Sequence, residues 1–209
     1  MSSPRHRLLV IGCGSIGERH VRTFLATGRA AVVACDNRPA IREQIAQRYG
    51  VTCTADWEAA LADPGLTGVV IATPAPLHIP MARRVLAARR HVLIEKPLSL
   101  DLGGIDDLVA ARNASGCFVA VAYVLHFVPA LQAARDFVRG GACGPLRQIV
   151  LTSGQHFPQF RPAYREIYYT RHETGGGAIQ DALTHLVNAM EWLIGPMTRV
   201  FCDASHQQL

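Results

Sequence analysis

A chain of 209 residues is long enough for one large or two small domains. With 49% hydrophobic and 18% charged residues it is globular in composition, which excludes a disordered segment. The formal net charge of +5 comes from basic residues scattered along the whole chain, with no basic block and no nucleic-acid motif, so the charge says little about partners and nucleic acid is not expected.

In chain order, the first ~120 residues alternate short β-rich runs with amphipathic stretches. Leu8–Ile11 reads as a strand, Ser15–Thr27 as a helix and Ala31–Cys35 as a strand. Pro39–Tyr49 reads as a helix that Gly50 stops. Asp56 has the character of an N-cap for a short helix to Ala62, closed by Asp63-Pro64-Gly65. Strand Val69–Ala72, helix Pro76–Ala88, strand Val92–Ile94, helix Asp101–Asn113 and the apolar strand Cys117–Tyr123 follow. Strands of consecutive apolar residues are buried on both faces, so these belong to a parallel sheet covered by helices, a doubly wound α/β fold.

After Tyr123 the rhythm changes. A helix Pro129–Arg139, a break at Gly140-Gly141 and a candidate strand Leu146–His156 precede a polar, aromatic-rich loop. A helix over about Ala178–Ile194 and a strand-like run Arg199–Ala204 close the chain. The sequence therefore divides into a doubly wound domain over 1–123 and the opening β-α-β of a second domain over 124–209, whose sheet is incomplete.

The longest apolar run, Cys117–Leu125, is about half the ~18 residues of a membrane span. The Arg5, Arg7 and Leu8–Cys13 segment imitates a lipoprotein signal, but its apolar core is too short against the ~7–15 residues needed. Neither membrane nor secretion is expected. The six cysteines lack CxxC spacing, so zinc, other metals and disulfide frameworks are not indicated. Buried free thiols in a reducing cytoplasm are the expectation.

Gly12-x-Gly14-x-x-Gly17 follows the first strand and opens the first helix, with Ser15 and Ile16 between the glycines. Such glycines permit a tight turn, close approach of backbone to a pyrophosphate, and close helix packing. The helix N-terminus adds free N–H groups and a positive dipole end. Asp36 ends the second strand, where a carboxylate accepts hydrogen bonds from the adenosine ribose. It favours NAD by repelling a 2′-phosphate, while Arg38 and Arg42 lie close enough in sequence to reverse that preference toward NADP.

Thr73-Pro74 and Glu95-Lys96-Pro97 end two further strands at the carboxyl edge, where ligands bind in open α/β sheets. Of the 21 basic residues only Lys96 is a lysine. Its ammonium can hold a substrate hydroxyl and, with a depressed pKa, move a proton, which arginine cannot. Gly175-Gly176-Gly177 leads into a helix bearing Asp181 and His185, four apart and so on one face, with Asn188 beside them. A histidine beside a carboxylate suits general acid/base work, although the same spacing is that of an ordinary surface ion pair.

These four motifs, in this order, resemble the Gfo/Idh/MocA oxidoreductases, the glucose–fructose oxidoreductase and inositol dehydrogenase relatives. The resemblance runs from Arg7 to about Val200. It implies a Rossmann domain over 1–123, then an α+β C-terminal domain whose open, mainly antiparallel sheet mediates oligomerisation, and so a homo-oligomer once that sheet is complete. It also implies hydride transfer between a nicotinamide and a sugar, nucleotide-sugar or cyclitol hydroxyl. By matching position Lys96 and His185 handle the proton and orient substrate, and Asp181 binds substrate hydroxyls or orients His185. His78 lines the cofactor pocket, unless it is a surface residue at a helix start.

The sequence departs from the family pattern at Tyr123-Val124-Leu125-His126-Phe127, where Tyr-Asn-x-Arg-Phe is usual, and at Asn188, usually acidic. Family members also run well past this length. Tyr123 and, in the loop Phe157–Thr174, Arg161, Tyr164, Arg165 and Tyr169 are candidates for gripping an acidic or phosphorylated sugar. The other class of reading is a truncated, non-catalytic dinucleotide-binding protein that acts through a partner.

Overall fold

The computed structural model describes residues 6–141, 143–154 and 171–205. Six parallel strands form one sheet, β1 (His6–Ile11), β2 (Ala30–Cys35), β3 (Thr52–Thr54), β4 (Gly68–Ile71), β5 (His91–Ile94) and β6 (Val119–Val121). Their order is β3-β2-β1-β4-β5-β6, so the direction of winding reverses between β1 and β4. That reversal opens a crevice at the carboxyl ends of the strands, the usual ligand position in such sheets.

Successive side chains of a strand point to opposite faces, and here both faces are covered. Leu9, Ile11, Val69, Ile71, Val92 and Ile94 pack with helices α3 (Trp57–Leu61), α4 (His78–Ala87) and α5 (Ile105–Ser115). Val10, Val32, Ala34 and Val70 face α1 (Ser15–Ala26) and α2 (Pro39–Tyr49) through Val21 and Ile45. Leu9, Val10, Ile71 and Ile94 are each withdrawn from water, a contribution of about 1.5–3 kcal/mol per side chain. The helix ends follow the sequence signals. Gly50 ends α2 in the left-handed conformation at φ 65°, and the Asp56 side chain accepts the Ala59 N–H at the start of α3.

One element was not expected and two expected ones need correction. The short edge strand β3, Thr-Cys-Thr, carries no apolar run to announce it. Helix α5 begins at Ile105 and not Asp101, because the Asp101 carboxylate accepts the Gly103 N–H and holds a turn there. The helix placed at about Ala178–Ile194 opens with a π turn, Ile179–Leu183, before α7 (Thr184–Ile194).

Beyond β6 a 3-10 turn, Val124–Phe127, leads into α6 (Pro129–Arg139), which rests against α7 and buries none of its own residues. The strand expected over Leu146–His156 does not form in its described part, and Arg199–Ala204 is likewise unpaired. A strand exists through hydrogen bonds to a neighbour, and Val150 and Phe201 are instead 74% and 94% exposed. Among the described residues, no helix is long and apolar enough to cross a membrane.

Candidate active site

The glycine turn has one role per glycine. Gly12 adopts φ 84°, and a Cβ there would lie 2.6 Å from the Ala72 carbonyl oxygen. At Gly17 a Cβ would fall 1.7 Å from the Gly12 carbonyl oxygen, so α1 packs directly on the turn. A Cβ at Gly14 would meet nothing nearer than the Arg38 guanidinium at 4.0 Å. The turn is closed where it packs and open where a phosphate would approach. Gly14 is the N-cap of α1 and lends no side chain to it. The first-turn N–H groups of Ser15, Ile16 and Gly17 have no acceptor within the helix, and they flank the open position. Glu18, acidic in that turn, is held by the Tyr49 hydroxyl and by Arg48. These features fit a dinucleotide pyrophosphate.

Asp36 is only 5% exposed. One carboxylate oxygen accepts the Arg38 backbone N–H and Nε–H, both at 2.9 Å. The other accepts the Cys13 N–H at 2.8 Å and Arg38 Nη2 at 3.0 Å. Burial alone would raise this carboxyl; the hydrogen bonds from Arg38 and Cys13 outweigh it and hold the group below the usual carboxylate range. All four acceptor positions of the carboxylate are filled. A ribose hydroxyl can reach Asp36 only by displacing Arg38, whose side chain is 58% exposed. Arg42 donates to the Asp36 carbonyl at 2.8 Å.

On the other side of the crevice, His78 is 1% exposed, which rules out the surface alternative. Its ring lies between two main-chain carbonyls, with Nδ1 2.8 Å from Pro97 O and Nε2 2.8 Å from Thr73 O. Burial pulls its pKa below the ordinary histidine value, against the opposing effect of the two carbonyls. The ring ties the Thr73-Pro74 turn to the Lys96-Pro97 turn, whose connecting peptide is cis.

Lys96, at the end of β5, extends its amine to Asp181 on the π turn, 2.6 Å from the carboxylate and 2.9 Å from the carbonyl. Each of these side chains is 14% exposed. Asp181 therefore partners Lys96, 85 residues away, and the spacing of four from His185 is not an isolated surface ion pair. His185, one turn on, meets the Tyr123 ring edge-on at 6.2 Å, and the Tyr123 hydroxyl lies 3.2 Å from Thr184 Oγ1. Burial first, then the Lys96 charge, lowers the His185 pKa, so its imidazole is neutral at neutral pH. Among the described residues His185 Nδ1 and Asn188 Oδ1 are buried without a hydrogen-bond partner. Buried polar atoms rarely stay unpaired, and a hydroxyl-rich ligand would supply what both lack.

Residues 6–123 match the profile described as oxidoreductase family, NAD-binding Rossmann fold. Residues 131–208 match the GFO/IDH/MocA C-terminal domain.

The chain belongs to the Gfo/Idh/MocA oxidoreductases.

Inositol 2-dehydrogenase of Acidothermus cellulolyticus is 32% identical over 90% of this chain and 53% of its own length. A dTDP-3,4-didehydro-2,6-dideoxy-alpha-D-glucose 3-reductase of Streptomyces antibioticus is 29% identical over 94% of this chain and 59% of its own. The WlbA dehydrogenase of Bordetella pertussis, solved with NADH and UDP-GlcNAcA, superposes with a TM-score of 0.78 at 25% identity, covering 94% of this chain and 59% of that one. This family member thus spans little more than half the length of the relatives it matches.

Of the predicted site residues, the structure brings Lys96, Asp181, His185 and Tyr123 together, and separately Gly12, Gly14, Gly17, Asp36 and Arg38. Arg161, Tyr164, Arg165 and Tyr169 lie outside the described residues. Sequence reasoning missed His20, whose Nε2 sits 2.7 Å from Glu95 Oε1; a lone histidine on a helix gives no signal of a partner 75 residues on. The thiols need one correction. All six cysteines are free, but Cys143 and Cys202 are exposed, while Cys13 and Cys35 are buried and their pKa values pushed up by burial to about 12 and about 11. A cavity of about 190 Å³, lined by Arg7, Leu9, Val33, Thr52, Thr54 and Asp63 among others, shares no residue with the site.

Proposed function

We propose that the chain is the dinucleotide-binding half, plus the start of the substrate and oligomerisation domain from about residue 124, of an NAD(P)-dependent dehydrogenase. Its substrate would be a sugar, nucleotide-sugar or cyclitol, oxidised at a CH–OH carbon or reduced at the matching ketone. One observation carries the reading: the amine of the only lysine meets Asp181 at the same carboxyl edge as the open glycine turn.

When bound, the nicotinamide would supply the hydride acceptor or donor. Oxidation also frees one proton from the substrate oxygen, and that proton is the task of this chain's side chains. Lys96 would hold the oxygen in place of part of its contact with Asp181. His185, kept neutral by burial and the neighbouring ammonium, would take the proton. Asp181 and Asn188 would bind further hydroxyls. The glycine turn and α1 would hold the pyrophosphate, and Asp36 or Arg38 the adenosine ribose. Asp36 supports NAD, as does NADH in the WlbA structure. The Arg38 fork neutralises Asp36 and keeps NADP as the alternative.

A second reading, a non-catalytic binder acting through a partner, draws support from Phe127, Phe137 and Phe201, which are 77%, 58% and 94% exposed. Fluorescence titration with NADH and NADPH tests the cofactor, and turnover with inositols and nucleotide-sugars tests the chemistry. The dehydrogenase reading expects saturable binding, and turnover that Lys96→Ala abolishes while binding persists. A folded chain that takes up neither cofactor refutes both readings. One that binds yet turns over nothing with any sugar class favours the second.

A further inference from the structure

The Glu95 carboxylate has two hydrogen-bond partners, His20 and the Lys96 main chain, and itself has no part in the chemistry proposed above. Its Oε1 lies 2.7 Å from Nε2 of His20, midway along α1. Its Oε2 accepts the main-chain N–H of Lys96 at 3.2 Å. The two side chains are 18% and 15% exposed. The His20 ring is further fixed by stacking on Phe24, with centroids 6.1 Å apart and planes 22° from parallel. Glu95 itself is anchored by its own N–H on the Ile71 carbonyl at 2.9 Å. A carboxylate withdrawn this far from water requires its partners, so this chain of contacts is over-determined from α1 to the Lys96 backbone. At its far end the Lys96 amine lies 2.6 Å from Asp181.

We propose that His20 is a positioning residue for Lys96, gripping it through Glu95 so that the helix facing the cofactor phosphates also sets the main chain that aims the amine. The purpose of the clasp rests on the dehydrogenase reading; its geometry does not. The clasp would hold the two halves of the crevice in one register, since α1 begins at the glycine turn and Lys96 follows β5 on the other side of β4.

Because Lys96 is the only lysine, a chain grown with 15N-lysine shows one backbone amide signal, from the N–H that Glu95 accepts. His20→Ala is expected to shift that signal and to speed its exchange with solvent about tenfold, the effect of losing one hydrogen bond. His20→Gln, whose amide nitrogen reaches the position of Nε2, is expected to restore both. Val21→Ala, on the same helix but buried in the core, lowers the melting temperature and leaves the signal in place, which separates positioning from stability. Glu95→Gln is read in the same way as His20→Ala and covers the case in which the alanine variant does not fold. A Lys96 signal unmoved by His20→Ala and Glu95→Gln overturns the proposal. A signal that moves in a chain that ignores both NADH and NADPH supports the clasp and overturns the dehydrogenase reading instead.

Discussion

Gly14→Ala separates cofactor binding from folding within the glycine turn. Gly14 sits at φ −65° and ψ −166°, extended backbone at negative φ, so alanine there is spared the left-handed region that disfavours a side chain. Its added methyl would meet only Arg38 Nη2 at 4.0 Å, the far end of a flexible side chain. The stability cost is that of a poorer N-cap, about 0.5 kcal/mol, or about 1–2 °C in Tm for a chain of this length. The cost to binding is larger. A phosphate that the methyl holds away loses one or two charge-assisted hydrogen bonds to first-turn N–H groups, each worth about 1.5–3 kcal/mol. NADH affinity should therefore fall at least about tenfold. Gly17→Ala is the contrast, because its Cβ overlaps the Gly12 carbonyl oxygen at 1.7 Å. Overpacking of that kind costs about 1–3 kcal/mol or more, so Tm falls by at least about 2–4 °C along with binding. Melting by circular dichroism and titration with NADH, run on both variants, check the pair. Wild-type NADH affinity in Gly14→Ala would refute the open-turn argument, and an unchanged Tm in Gly17→Ala would refute the packing argument.

Three further outcomes follow from the electrostatics. Arg38→Ala uncovers the Asp36 carboxylate and should lower NADPH affinity relative to NADH, whereas Asp36→Ala frees the guanidinium and should do the reverse; paired titrations that move in the same direction refute the fork's role. His78 and His185 both titrate below the ordinary histidine value in the fold. As pH drops through about 6.5 the unfolded chain takes up protons that the folded one refuses, so stability is full above that value and declines below it. Urea melts should show the decline, with a shallower slope in His185→Gln. Native alkylation at mildly alkaline pH should label Cys143 and Cys202 first and Cys13 and Cys35 last, as mass spectrometry would report.

The Rossmann half was legible in the sequence because its signals are local. Apolar strands, a glycine turn and a stop glycine after Tyr49 each act within a few residues. The positions of Thr73-Pro74 and Glu95-Lys96-Pro97 were legible for the same reason, since parallel strands end at one edge. What could not be read was pairing across distance. The sequence places Asp181 beside His185 by spacing, but the π turn re-aims it and Lys96 claims it. Asp36 looks free for a ribose, yet Arg38 two residues on folds back onto it. The unpaired runs 146–154 and 199–204 show the limit of local pattern, because extended sequence becomes sheet only when a neighbour is present.

The contact between Lys96 and Asp181 has a consequence for the order of assembly. The lysine is made early, on a sheet whose six strands are complete by residue 121. Its counter-charge arrives 85 residues later, on a segment outside that sheet. A polypeptide cut anywhere between the two would still own the open glycine turn but would carry the Lys96 amine without the Asp181 carboxylate. On the reading proposed above, the residues for coenzyme recognition and those for proton handling are thus written into different stretches of the gene. On the dehydrogenase reading the second set is complete only when the later stretch docks, so a ribosome part-way through this message would hold the parts of a nucleotide binder before those of an enzyme.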